Sequence, residues 1–128
     1  MSSIVIPDTP HDFDVRYRFL SADEGGRDSG APFQGYRCDW AYDGDDITKT
    51  GIYMIWPFFE DAQGNVFEEK VRVPVEGIAR MWIVNKDLKD VVHRKRIKPG
   101  LKGFFMEDEK RVAEAEVTRI VGLNESET

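Results

Sequence analysis

The chain has 128 residues, of which 41% are hydrophobic and 12% aromatic, and its formal net charge at pH 7 is −6. This length and apolar content suit one folded domain and exclude an intrinsically disordered chain. The single cysteine, Cys38, excludes an intramolecular disulfide, and no apolar run reaches membrane-spanning length. We therefore expect a cytoplasmic protein without a membrane partner, in which Cys38 is a buried hydrophobe rather than a nucleophile.

Three regions follow from composition. Residues 1–11 contain two prolines and little periodicity, and they predict a flexible arm. Residues 12–123 predict a single domain, and residues 124–128 a frayed tail. The cluster of His11, Asp12 and Asp14 predicts solvated side chains rather than a metal site.

The first strand and the loop after it are the most informative stretch. Apolar and charged residues alternate along residues 13–19, FDVRYRF, which predicts a half-exposed strand. Gly25 and Gly26 then predict a turned loop with positive backbone φ, flanked by Glu24 and Arg27 as a candidate ion pair. The chain re-enters a sheet near Gly35 and continues as a second strand to residue 40.

The remaining strands are predicted from short β-rich runs between turns. Residues 51–59, GIYMIWPFF, and residues 66–73 predict a hairpin, with Pro57 at a sheet edge or bulge. Residues 78–84 predict a strand that is buried on both faces for part of its length. Residues 103–106 and 112–120 predict a closing hairpin around the charged turn at residues 107–110. Between these strands, residues 85–102 allow one helical turn before Pro99 and Gly100.

These residues resemble a known family. Residues 13–20, then Glu24-Gly25-Gly26-Arg27, Pro32-Phe33 and Gly35-Tyr36-Arg37, resemble in order and spacing the start of the C-terminal (third) β-barrel domain of translation elongation factor Tu. The resemblance covers about residues 13–122 and includes no GTP-binding domain. It implies an all-β fold, a six-stranded antiparallel, closed β-barrel with Greek-key-like connections.

Two departures from the family pattern bear on function. The family continues Gly-Tyr-Arg with Pro-Gln-Phe, whereas this chain reads Cys38-Asp39-Trp40. Where the family has a second glycine-rich turn that faces transfer RNA, this chain has the acidic turn at residues 107–110. The resemblance therefore implies a retained barrel with an altered binding partner.

The first functional hypothesis is a non-catalytic, stand-alone module that docks a protein partner. Its partner would be a component of the translation machinery, or the chain would act as an immunity or decoy protein that imitates the elongation factor. The residues expected to form the docking surface are the loop residues and their neighbours, namely Glu24, Arg27, Phe33, Tyr36 and Arg37.

The alternative hypothesis is an RNA-binding accessory domain that contacts transfer RNA. Residues 86–102 carry seven basic and two acidic residues, although the chain as a whole is acidic and its net charge disfavours a phosphate-backbone ligand. The candidate phosphate contacts are Arg37, Arg94, Lys95, Arg96 and Lys98. A solvated loop and strand edge is the competing interpretation of these cations.

The sequence predicts neither catalysis nor a bound cofactor. Neither histidine lies in a context typical of a nucleophile–histidine pair, no paired-cysteine metal motif is present, and there is no phosphate-binding P-loop. We therefore expect no enzyme activity, no cofactor and no metal ligands.

Overall fold

The computed structural model describes residues 10–124. Its strands are β1 (Phe13–Phe19), β2 (Asp39–Tyr42), β3 (Ile55–Phe59), β4 (Glu76–Ile83), β5 (Lys102–Glu107) and β6 (Lys110–Ile120). Its helices are α1 (Ile47–Thr50), α2 (Lys86–Leu88) and α3 (Arg94–Arg96). A 3-10 turn spans Ala22–Glu24, and a π-helical turn at Lys89–His93 joins α2 to α3.

All six strands form one antiparallel sheet in the order β2-β5-β6-β1-β4-β3, curled into a half-barrel. The predicted closing hairpin is confirmed, because β5 pairs with β6 around the turn at residues 107–110. Along β6 the small side chains Ala113, Ala115 and Val117 are buried while Glu114 and Thr118 are exposed. The period-two pattern thus identified the concave face of this strand correctly.

The concave face is filled mainly by aromatic side chains. Tyr17 of β1 packs edge-on against Phe59 of β3, with ring centroids 5.1 Å apart. Trp40 of β2 is fully buried and lies directly over Gly103 of β5. A Cβ atom at Gly103 would lie 2.2 Å from Trp40 Cζ2, so only glycine permits this approach. Large rings on β1, β2 and β3 therefore meet in one core.

The outer strands β2 and β3 approach each other along a seam. Trp40 and Tyr53 form an isolated antiparallel bridge, with reciprocal N–H to carbonyl distances of 2.8 and 2.9 Å. Farther along, the buried Gln34 side chain takes the place of a paired strand: its amide donates to the Phe59 carbonyl at 2.9 Å and accepts from the Phe59 N–H at 3.0 Å. Pro57 lies on this edge, as predicted, and has no N–H to leave unpaired.

Two predicted strands differ from the structure. The predicted hairpin between β3 and residues 66–73 forms only near its turn, where Glu60 bridges Val66 and the Phe67 N–H donates to the Phe59 carbonyl at 3.1 Å; the strand that pairs along β3 is β4. Lys70 has φ of 70°, a left-handed conformation that interrupts an extended strand, and the segment contributes only bridges at Val66 and Arg72. The second strand begins at Asp39 rather than near Gly35, because Gly35 has φ of 97° and lies in a turn.

The helical segment is longer than the single turn predicted. Helical structure runs through α2, the π-helical turn and α3, and the Asn85 side chain accepts from the Leu88 N–H at its start. The segment brings His93 into the core beside Tyr42 and Tyr53. Within residues 10–124, none of the helices has the length and apolar character needed to cross a membrane.

Candidate docking surface

The loop between β1 and β2 begins with a capping box. The Ser21 hydroxyl accepts from the Glu24 N–H, and the Glu24 carboxylate accepts from the Ser21 N–H at 2.9 Å. Two hydrogen bonds of 3.1 Å join the Arg18 guanidinium to the same carboxylate. The pKa of Glu24 falls to about 2, because Arg18 and then the Ser21 N–H stabilise its charged form. The predicted Glu24–Arg27 ion pair is therefore wrong, since Glu24 pairs with Arg18.

Glu107, at the end of β5, holds the middle of the loop. Arg27 Nη1 lies 2.6 Å from Glu107 Oε2, and the Tyr36 hydroxyl donates a short hydrogen bond to the same oxygen. Arg27 also donates to the Gly30 carbonyl at 2.8 Å and lies 4.9 Å above the Tyr36 ring. Burial, followed by the Glu107 hydrogen bond, raises the pKa of Tyr36. Arg27 and Tyr36 thus tether the loop to the sheet.

Phe33 points outward, and 49% of it is exposed. It pairs with Arg72 in an isolated bridge, and the Arg72 guanidinium lies 4.5 Å from the ring centroid. The two segments are also joined by hydrogen bonds from the Gln34 N–H to the Val71 carbonyl and from the Val73 N–H to the Pro32 carbonyl.

Two more exposed apolar residues lie on the second of these segments. Val71 is 40% and Val75 55% exposed. We call Phe33, Val71, Val75 and the stacked Arg72 the Phe33 patch. Of the residues in this patch, the sequence indicated Phe33 alone; Val71 is exposed although Val73, on the same predicted strand, is buried.

Arg37 is exposed and lies over two rings on the convex face of β3, 4.8 Å from the Trp56 centroid and 5.0 Å from that of Phe58. Burial against these rings lowers the pKa of Arg37. Among the five loop residues predicted for docking, Glu24, Phe33 and Arg37 are exposed, and Glu24, Arg27 and Tyr36 are engaged in hydrogen bonds within the chain.

The basic segment predicted to contact RNA is partly engaged within the chain. Both Arg96 terminal nitrogens donate to Asp45 at 2.9 Å, and Arg96 lies 3.8 Å from the Tyr42 ring centroid. Arg94 donates to the Leu123 carbonyl at 2.7 Å. Of the four residues of this segment that were predicted to contact phosphate, Lys95 and Lys98 are the exposed ones.

His93 anchors this segment from the inside. It is 1% exposed, and its Nδ1 lies 2.5 Å from the Tyr42 hydroxyl. The pKa of His93 is lowered to about 4, first because burial disfavours the imidazolium and then because Arg96 is close. The histidine is thus a neutral packing residue at pH 7.

The prediction of solvated His11, Asp12 and Asp14 is wrong, because all three are buried. His11 Nε2 lies 2.5 Å from Asp14 Oδ1, and Arg119 contacts the other Asp14 oxygen at 2.9 Å. Burial alone raises the pKa of Asp14, but its bonds to His11 and Arg119 outweigh this and lower it. Lys89 pairs with Asp12 at 2.8 Å. The local sequence holds no signal of this burial, because the partners Lys89 and Arg119 lie far along the chain.

No group of three or more histidine, cysteine, aspartate or glutamate side chains in residues 10–124 is placed to hold a metal ion. Cys38 is buried, and burial raises its pKa, which keeps the thiol protonated and unreactive.

Comparison with known proteins adds no relative: no protein-family model matches the chain, and no curated protein matches it.

Proposed function

We propose that this chain is a non-catalytic binding module that docks a protein partner through the Phe33 patch. The observation that carries the proposal is the concentration of exposed apolar side chains on two hydrogen-bonded segments. Exposed apolar side chains grouped on a surface typically mark a site of association. Phe33 with its stacked Arg72 supplies the aromatic and arginine pair that is enriched at the energetic centres of protein interfaces.

The surface is suited to docking because its support is rigid. Arg72 is held by the Ala31 carbonyl at 2.6 Å, and Arg27 and Tyr36 hold the loop on Glu107. A partner that binds at Phe33 therefore contacts a surface that is already ordered, which lowers the entropic cost of binding. In this proposal, the internal contacts of Glu24, Arg27 and Tyr36 position the loop.

For the fold, we infer a closed Greek-key-like barrel similar to the third domain of elongation factor Tu, and for the partner a component of the translation machinery. The Trp40–Tyr53 bridge and the Gln34 side chain support closure at the β2–β3 seam. The resemblance of residues 24–37 to the family supports the choice of partner. An immunity or decoy protein is a variant of the same proposal.

Affinity capture from an extract of the source cell tests the docking proposal. We expect wild-type protein to capture a defined partner and Val75→Asp and Phe33→Ser to lose it. Val91→Asp is the matched control, because Val91 is 60% exposed but lies in the π-helical turn outside the patch. Equal capture by all four proteins, or transfer RNA as the main captured species, would refute the proposal.

Transfer-RNA binding at low salt decides the RNA alternative separately. That alternative requires affinity that falls steeply with salt and with loss of Lys95 and Lys98, the two exposed residues among the predicted phosphate contacts of the segment. We expect no such binding, because Arg96 already pairs with Asp45 and the chain is acidic.

A further inference from the structure

A second exposed surface lies on the convex face of β3 and β4 and shares no residue with the Phe33 patch. Met54 and Val84, which are 50% and 38% exposed, are joined where the Val84 N–H donates to the Met54 carbonyl at 3.1 Å. Trp56 follows Met54 by two residues and therefore lies on the same face of the strand. With Arg37 above Trp56, these residues form what we call the Arg37 strip.

Arg37 differs from Arg27 and Arg96, which also lie over aromatic rings. Arg27 is paired with Glu107 and Arg96 with Asp45. Across residues 10–124, no carboxylate forms an ion pair with Arg37, although Glu69 lies near enough to stabilise its charge, and its guanidinium makes a long hydrogen bond of 3.4 Å to the Tyr36 carbonyl. Stacking on Trp56 and Phe58 orients its planar guanidinium and leaves the N–H edge available for a bidentate partner.

The seam beside the strip excludes one mode of binding. Pro57 has no N–H, and the Phe59 N–H and carbonyl are already bonded to Gln34. An incoming strand therefore finds few free backbone groups on this edge of β3. A partner would therefore contact the side chains of the convex face, which form an apolar row that ends at the Arg37 guanidinium.

We propose that the Arg37 strip binds an acidic, apolar peptide segment of a partner protein. A carboxylate of the segment pairs with the Arg37 guanidinium, and its apolar side chains cover Met54, Val84 and the edge of Trp56. Charge complementarity favours this peptide. The Arg37 guanidinium, which has no ion-pair partner and lies in an apolar row, matches a peptide carboxylate flanked by apolar side chains. This surface is additional to the one used in the proposed function.

Titration of the isotope-labelled full chain with short synthetic peptides, followed by NMR, tests the proposal. The probes are a capped peptide with Leu and Asp residues in a Gly and Ser background and its counterpart with Asn in place of Asp. We expect the acidic peptide to bind about tenfold more tightly. The shifts should include the Arg37 Nε–H and the amides of Met54 and Val84. Equal affinity for both peptides, or shifts confined to other surfaces, would overturn the proposal.

Substitutions separate this site from a general attraction to acids. Arg37→Gln should abolish the preference for the acidic peptide, and Met54→Ser should lower the affinity for both peptides. Arg111→Gln is the matched control, because Arg111 is also exposed and lies 4.0 Å from a ring centroid, that of Phe104. Dispersed amide spectra establish that each variant is folded, and if Arg37→Gln is not, Arg37→Met, which covers the rings without a charge, replaces it with the same expected loss of preference.

Failure here is distinguishable from failure of the docking proposal. Val75→Asp should leave peptide affinity within about twofold of wild type, since it lies outside the strip. An acidic-peptide preference that survives Arg37→Gln, or that is lost equally in Arg111→Gln, would refute the assignment of the strip.

Discussion

The loop at residues 21–37 was expected to dock a protein partner, and the basic segment at residues 86–102, which contains the helical segment at residues 86–96, was the alternative site for RNA. The structure uses the charged side chains of these two regions differently. In the loop, Arg27 reaches outside its own segment to Glu107 and leaves Phe33 facing solvent. In the helical segment, Arg96 reaches Asp45 while the neutral His93 enters the core. The loop is thus tethered by ion pairs at its surface, whereas the helical segment is anchored by burial.

Lowering the pH should destabilise the helical segment that His93 anchors before it destabilises the loop. The pKa of His93 is about 4 in the folded protein and 6.5 in the unfolded chain, so between these values the unfolded state binds more protons. Stability should therefore be intact above pH 6.5 and fall as pH drops towards 4, by about 3 kcal/mol in total. Urea unfolding across this range measures the effect. His93→Gln should flatten the pH dependence of this interval, and an unchanged slope in that variant would contradict the assignment.

The loop should be most sensitive at Gly26. A Cβ at Gly26 would lie 2.2 Å from the Leu20 carbonyl oxygen, a backbone atom that cannot move aside alone. We expect Gly26→Ala to cost about 2–3 kcal/mol in unfolding free energy. Gly25→Ala is the comparison, because Gly25 has φ of 87° in open space and should cost only about 1 kcal/mol. Equal costs, measured by urea unfolding, would show that the loop rearranges to relieve the contact.

The smallest effect is expected at the tether itself. Glu107→Gln removes the charge that pairs with Arg27 but keeps an oxygen for the Tyr36 hydroxyl, so we expect a loss of about 1 kcal/mol, smaller still in high salt. Hydrogen exchange should accelerate at residues 28–30 of the loop and remain unchanged in the helical segment. Glu109→Gln, in the neighbouring turn, is the control. Equal acceleration in both segments would mean that the two are not independently held.

Local pattern predicted the regular strands well. Residues 13–19 alternate so strictly that β1 was predicted with its observed bounds, and the β5–β6 hairpin follows from a short apolar run and an alternating arm around a charged turn. Where alternation is weak, prediction failed. Residues 66–73 read as a strand, but Lys70 adopts positive φ because the segment turns to pair with residues 32–34. Gly25 and Gly26 looked equivalent, and only Gly25 has positive φ.

Side-chain partners were decided by the tertiary structure. Sequence proximity suggested that Glu24 pairs with Arg27, yet the carboxylate that Arg27 meets, Glu107, is brought close by β5. The burial of Asp14 with His11 and Arg119 likewise depends on β1 lying beside β6. An ion pair forms where two charges meet in space, and a sequence records only where they lie along the chain.

By itself, the sequence determined a mainly antiparallel sheet, because alternation of apolar and charged residues is a local property of each strand. It also identified Phe33 and Arg37 as candidates for binding. Only the tertiary structure decided that these two side chains remain exposed on ordered supports while Glu24, Arg27 and Tyr36 hold the loop in place. The physical reason is that exposure and pairing depend on which distant segments the fold brings together.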